Sequence, residues 1–304
     1  MSALTVRPFR RDDRDQLTAL VNAHAAAVVP GVSVSTNTVL SALERQPDEF
    51  ITDPWVSERL TLVAEQRDHA VAAAHLLRYR ADPEVGESYR DIGEIDWFLC
   101  HPPASCRPDA DDAADLLMGA CLAQLARWNV RARYAGGEVP VPVVYGLPRN
   151  WPHIRAAFER AGFRHVGDTE VILIARVADL PPAEARPGIT VQRTLGECGA
   201  RLTAYAGGRA LGFIEVDTSL ARPERHARSA GLADIGNLHI DPAAYGTGLE
   251  HRLLAQAADW LDQCGVDRLL ACESSTDQTA IDRLTSAGFR ELTRTDRRRQ
   301  HRPG

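Results

Sequence analysis

A glycine-spaced turn, AYGTGLE (Ala244–Glu250), follows a strand-like run that ends at Pro242 and leads straight into LEHRLLAQAADWLDQ. Glycine at Gly246 and Gly248 lets the backbone approach a bound group closely. A helix beginning directly behind them presents unpaired N–H groups and the positive end of its peptide dipoles. Those residue types in that order make an anion cradle at Gly246 and Gly248. Eight residues before the proline stands a carboxylate, Asp234, and the same interval separates Glu94 from Pro102. A strand acid beside a cradle has the chemistry of a general base, although each such acid also reads as an ordinary exposed strand residue. Asp96 lies two residues beyond Glu94 on the same strand face. Asp234 is the first choice because it shares a segment with the cradle. Tyr245, His239 and Glu273 are further options for proton transfer.

The matched acids belong to a longer repeat. Leu62–Ala73 falls on Leu202–Phe213, and Pro102 on Pro242, both 140 residues apart. Trp128 and Trp260 are 132 apart, and AGFR at Ala161–Arg164 returns at Ala287–Arg290, 126 apart. A register that holds while shrinking only in loops indicates a duplicated domain. Alternation and helical spacing give the first copy as strand, two helices, hairpin, strand, long helix, strand, helix and two closing strands. The second copy has no room for the first two helices. Its long helix puts Leu253, Leu254, Ala257, Trp260 and Leu261 on one face. The expected division is a first domain at 1–178, a Pro-rich linker at 179–188, a second domain at 189–293 and a basic, mobile tail at 294–304.

The formal net charge of −6 argues against nucleic acid or anionic membrane as a partner. The N-terminus meets charge too early for a secretion signal, so a cytoplasmic location is expected. Six cysteines show no CxxC spacing, and the trio Cys100, His101 and Cys106 fits no common zinc pattern, so no metal is expected. The chain reads as a monomer or homodimer.

The element order, IDPAAYGTGLEHRLL (Ile240–Leu254) and DQTAIDRLTSAGF (Asp277–Phe289) together resemble the GCN5-related N-acetyltransferase (GNAT) family in a tandem two-domain form. The resemblance implies a mixed-sheet α/β fold and acetyl-CoA bound through its pyrophosphate at (Q/R)-x-x-G-x-(G/A). It also implies cofactor contact by Ile240, Tyr245, Gly246, Thr247, Gly248, Leu249 and Glu250, and by Asp277, which stands where the family has Asn. Two registers fit the loop. One places Tyr245, Gly248 and Glu250 at the motif positions; the other places Ala243, Gly246 and Gly248 there. Leu284 stands where the family has a tyrosine that protonates the departing thiolate. The first copy departs further, with Asp109, Asp111, Asp112 and Asp115 in place of glycines and Phe158 at the tyrosine position. The resemblance therefore implies an acetyl-CoA-dependent N-acetyltransferase acting on a small-molecule amine, with the cofactor in the second domain. Its alternative is a catalytically inactive acetyltransferase-like protein that binds CoA or regulates.

Overall fold

The structure, a computed structural model, describes residues 4–44, 52–102, 110–137, 139, 144–182, 187–197, 199–218, 226–228 and 231–302. It is a mixed α/β protein of two compact units, one formed by Met1–Thr169 with Thr295–Gly304 and the other by Glu170–Arg294.

The first unit opens with β1 (Thr5–Pro8), α1 (Arg14–Val28), β2 (Ser33–Val34) and α2 (Thr36–Leu43). Ser35 caps α2 by accepting the Thr38 N–H at 3.1 Å, which supplies one of the partners a helix start lacks. The hairpin β3 (Val56–Gln66) and β4 (His69–Tyr79) turns at Arg67 and Asp68, both in left-handed backbone. β5 (Ile92–Cys100), α3 (Ala110–Arg127), β6 (Ala132–Ala135), β7 (Leu147–Pro148), α4 (Pro152–Arg160) and β8 (Phe163–His165) complete this stretch. The strand beside β5 is β6, ahead of the expected VPVVYGL, part of which lies outside the described residues. β4 is buried along almost its whole length, with α3 and α1 both packed against it.

The second unit contains β9 (Thr169–Arg176), β10 (Ile189–Gly196), β11 (Gly199–Ala206), β12 (Arg209–Asp217), β13 (His226–Arg228), β14 (Leu232–Ile240), α5 (Leu249–Gln263), β15 (Arg268–Ser274), α6 (Gln278–Ser286) and β16 (Arg290–Asp296). Among the described residues β10 passes to β11 with no helix between them, as expected. α5 buries Leu249, Leu253, Leu254, Ala257 and Leu261 in a core shared with Leu202, Ala204, Ile214 and Val216 of the sheet. Each fully buried leucine there contributes roughly 1.5–3 kcal/mol. The other sheet face is polar. Glu215, fully buried, takes the Arg201 guanidinium at 2.5 Å and the Asn237 amide at 3.3 Å, while Asn237 and His239 stay exposed.

The closing strands depart from the expected division. The first unit's sheet runs β1-β3-β4-β5-β6-β17-β8, where β17 (Arg299–His301) comes from the chain's end. The second unit's runs β10-β11-β12-β14-β15-β9-β16, where β9 comes from the first sequence copy. Each copy's last strand thus completes the other copy's sheet. The boundary falls at 169/170, inside the expected first domain, and the expected basic tail contains strand. Arg299 is almost fully buried against Asp296 at 2.9 Å, because a strand between β6 and β8 has both edges paired.

Candidate functional site

β14 and β15 run parallel and pair only at Leu232–Arg268, Ala233–Leu269 and Asp234–Leu270. β14 then continues to Ile240 and β15 to Ser274 with no further register between them among the described residues. The strands therefore open a wedge whose vertex is Asp234. A bulge at Gly236, between the pairs Val216–Ile235 and Glu215–Asn237, bends β14 there. The first unit has its own bulge at Asp96, between the pairs Leu76–Ile95 and His75–Trp97.

Asp234 is mostly buried, and its Oδ1 has no hydrogen-bond partner among the described residues. Burial foremost, then the nearby Asp217 carboxylate, pushes its carboxyl up to about 7. An acid poised there exchanges protons readily at neutral pH.

At the far end of β14, a short 3-10 turn (Pro242–Ala244) leads to Gly246 and Gly248, with φ +73° and +75°. A side chain on either would be strained. A Cβ on Gly246 would meet nothing within 4 Å, so the loop has room for a bound group. Gly248 is the N-cap of α5 and brings no side-chain cap. The first-turn N–H groups are thus left without that partner. Thr247 Oγ1 donates to the Ala244 carbonyl at 2.7 Å, which closes the turn.

The other sequence-derived candidates take varied places. Tyr245 is exposed, and Ile240 is buried at the strand end. Glu250 sits in the first turn of α5, with its carboxylate 3.0 Å from the Arg283 guanidinium of α6. Burial raises its pKa, and Arg283 offsets part of that rise. Asp277 caps α6 by accepting the Ala280 N–H at 2.9 Å. Leu284 is buried in the core. Burial raises the Glu273 pKa, with Asp277 adding to it. His239 lies beside Phe213, ring centroids 5.6 Å apart. Asp234, the cradle and Ile240 are thus brought onto one strand and the helix that follows it. Sequence reasoning missed Asp217 and Arg283, whose roles depend on strand and helix neighbours remote in sequence.

Glu94 belongs to the first unit, where it accepts the Tyr79 hydroxyl at 3.4 Å. The strand end equivalent to Ile240 is Cys100, whose carbonyl accepts from His153 Nε2 at 3.0 Å. His24 lies beside them, with Nδ1 2.8 Å from the Leu20 carbonyl and Nε2 3.0 Å from that of Cys100. Phe158 is buried. Cys106 and Asp109 lie outside the described residues. Among the described residues no helix is long and apolar enough to cross a membrane.

Residues 174–289 match the model of the Acetyltransferase (GNAT) family. No curated protein matches the sequence. Among solved structures, the chain is similar to the tandem GNAT protein from the clavulanic acid biosynthesis pathway. There the TM-score is 0.63 at 14% identity, over 99% of this chain and 100% of that one. A GCN5-related N-acetyltransferase from Sphaerobacter thermophilus aligns with TM-score 0.61 at 15% identity, over 99% of this chain and 96% of that one. A GCN5-related glucosamine N-acetyltransferase region of a fungal multi-domain GH3 beta-N-acetylglucosaminidase aligns with TM-score 0.61 at 14% identity. That match covers 99% of this chain but only 38% of the fungal one. The chain thus has the mixed α/β fold of tandem GNAT-like domains, and its residues 174–289 match the Acetyltransferase (GNAT) family.

Proposed function

We propose that the chain is an acetyl-CoA-dependent N-acetyltransferase that transfers an acyl group to a small-molecule amine, with CoA held by the second half. The observation that carries this reading is Asp234, buried at the vertex of the β14–β15 wedge on the strand that ends at the cradle. From Asp234 to Ile240 an extended strand runs about 20 Å at ~3.3 Å per residue, a length suited to a pantetheine arm. The residues fit the cofactor. Gly246, Thr247, Gly248 and the first-turn N–H groups of Leu249 and Glu250 would hold the pyrophosphate, and Arg283 draws the Glu250 carboxylate to itself.

Bound acetyl-CoA supplies the acyl group, activated as a thioester. Asp234 accepts the proton of the acceptor's ammonium and frees the nitrogen lone pair for attack. N–H groups of β14 facing the wedge are donors for the oxyanion that develops. Leu284 has no hydroxyl to give, which leaves Tyr245 as the phenolic hydroxyl nearest the cradle in sequence for the departing thiolate. Glu94 lies in the other unit and takes no part in this scheme.

The test pairs calorimetric titration of the full-length protein with acetyl-CoA and an assay of free-thiol release across a panel of amines. Binding abolished by Gly248→Asp, with turnover lost but binding kept in Asp234→Asn, is the expected result. Absence of acetyl-CoA binding by the wild type would overturn the reading. Binding without thiol release for any amine would instead support the inactive CoA-binding alternative, which the buried Leu284 favours.

A further inference from the structure

The first unit carries a cleft of about 340 Å³ that the proposed transfer chemistry does not use. Tyr89, Glu94, Gly167, Asp168, Arg297 and Arg298 are among its lining residues, the last two leading into β17. Its surroundings are aromatic. Tyr79 and Tyr89 lie 5.1 Å apart, Trp55 and Tyr89 5.7 Å, and Leu77, Tyr79 and Ile92 form a buried cluster against which Tyr134 packs.

The basic side of this cleft is built rather than loosely draped. Arg298 is held at φ +52°, a left-handed conformation that arginine rarely adopts. Its guanidinium lies 4.1 Å from the Tyr134 ring centroid, and its Nη2 donates to the Ser88 carbonyl at 2.9 Å. The Arg298 carbonyl accepts the Val166 N–H at 3.1 Å, and the Arg297 N–H donates to the Asp168 carbonyl at 2.9 Å. Gly167 permits this closeness, because a Cβ there would stand 2.4 Å from the Arg297 carbonyl oxygen. Tyr134 is the register partner of Glu94 across β5 and β6. A fixed guanidinium and a carboxylate thus flank one tyrosine.

Glu94 and Asp168 together with Arg297 and Arg298 give a lining of balanced charge. A simple anion would meet the two acids, and a simple cation the two arginines. A small molecule with an ammonium at one end and a carboxylate at the other satisfies both, and the Tyr89 ring in the lining favours the ammonium further. The volume lies in the range of small-molecule sites. We propose that this cleft binds a small zwitterion, a free amino acid, as a ligand distinct from the acyl acceptor. Glu94 and Tyr89 receive its ammonium, and Arg298 with Arg297 receives its carboxylate. The proposal is independent of the cofactor reading of the second unit.

The experiment is calorimetry and thermal-shift measurement on the full-length protein. The probes are the proteinogenic L-amino acids one at a time, the N-acetyl and C-amide forms of any binder, and inorganic phosphate. At least one free amino acid binds, and blocking either end, or substituting Glu94→Gln, weakens it by about tenfold or more, ~1.4 kcal/mol. Arg298→Met weakens it similarly; should that variant fail to fold, the Glu94→Gln result and the two blocked forms decide. Asp234→Asn leaves amino-acid binding unchanged. The proposal falls if no free amino acid binds at millimolar concentration. It falls equally if the blocked forms or phosphate bind as well as the parent, or if binding survives Glu94→Gln intact.

Discussion

Asp217, the last residue of β12, stands directly opposite Asp234 in the antiparallel register of β12 and β14. Like charges placed across a strand pair oppose folding, and here the opposition falls on the residue at the wedge vertex. The two carboxylates are more easily accommodated when one keeps its proton, which is the state the proposed base reaches once it has accepted one.

Because folding raises the Asp234 pKa from 3.8 to about 7, the folded protein binds this proton more tightly than the unfolded chain does. Stability therefore falls as pH climbs from about 4 to about 7, and the full penalty is present above that range. Asn in place of Asp234 does not titrate. The melting temperature of Asp234→Asn should match the wild type near pH 4 and exceed it at pH 8, measured by thermal unfolding across pH. A constant offset at every pH would contradict the argument.

Asp217→Asn removes the second cause of that shift. Its pH–rate profile for acyl transfer should move to lower pH while acetyl-CoA affinity stays near the wild-type value. An unmoved profile would mean that burial alone sets the pKa of Asp234.

Gly246→Ala adds a Cβ that meets no neighbour but must adopt φ +73°. The cost is backbone strain of about 1 kcal/mol. Gly248→Asp adds a negative charge where the anion would sit. Gly246→Ala should weaken acetyl-CoA only modestly, whereas Gly248→Asp should abolish binding; calorimetry with both variants distinguishes backbone cost from charge.

Truncation after Arg294 removes β17 from between β6 and β8 together with the Arg299–Asp296 ion pair. A solvated tail would come away with no effect on stability. Loss of this strand should instead lower the unfolding temperature of the first unit sharply, with exposed amides on β6 and β8 visible by hydrogen exchange.

Burial pulls His24 down to about 4, so the unfolded chain takes up its proton first as pH drops below about 6.5. Stability then declines between about 6.5 and 4. His24→Gln should flatten that acid limb of the stability profile, read by urea unfolding at several pH values. Its own cost at neutral pH is about 1–3 kcal/mol, from disturbing a buried hydrogen-bonded group.

The legible parts of this protein were those that short-range chemistry dictates. Asp234, the Gly246–Gly248 turn and the α5 stripe are each a residue type at a local spacing, and strand alternation with helical periodicity fixed what stood around them. The missing front helices of the second copy followed from counting residues. Arg283 could not be read as the partner of Glu250, because that pairing exists only once α6 packs beside α5.

The sequence by itself determined that one fold occurs twice, that the second copy carries the glycine turn, and that an acid precedes each strand's proline. Only the tertiary structure decided which strand completes which sheet. β9 carries the continuous apolar run VILIA and β17 is the polar triplet RQH, and neither sequence names the strand it will pair with. It also decided the state of Asp234. A carboxylate's pKa is set by the water it loses and the charges it meets, and both depend on β12, which closes against β14 only in the folded chain.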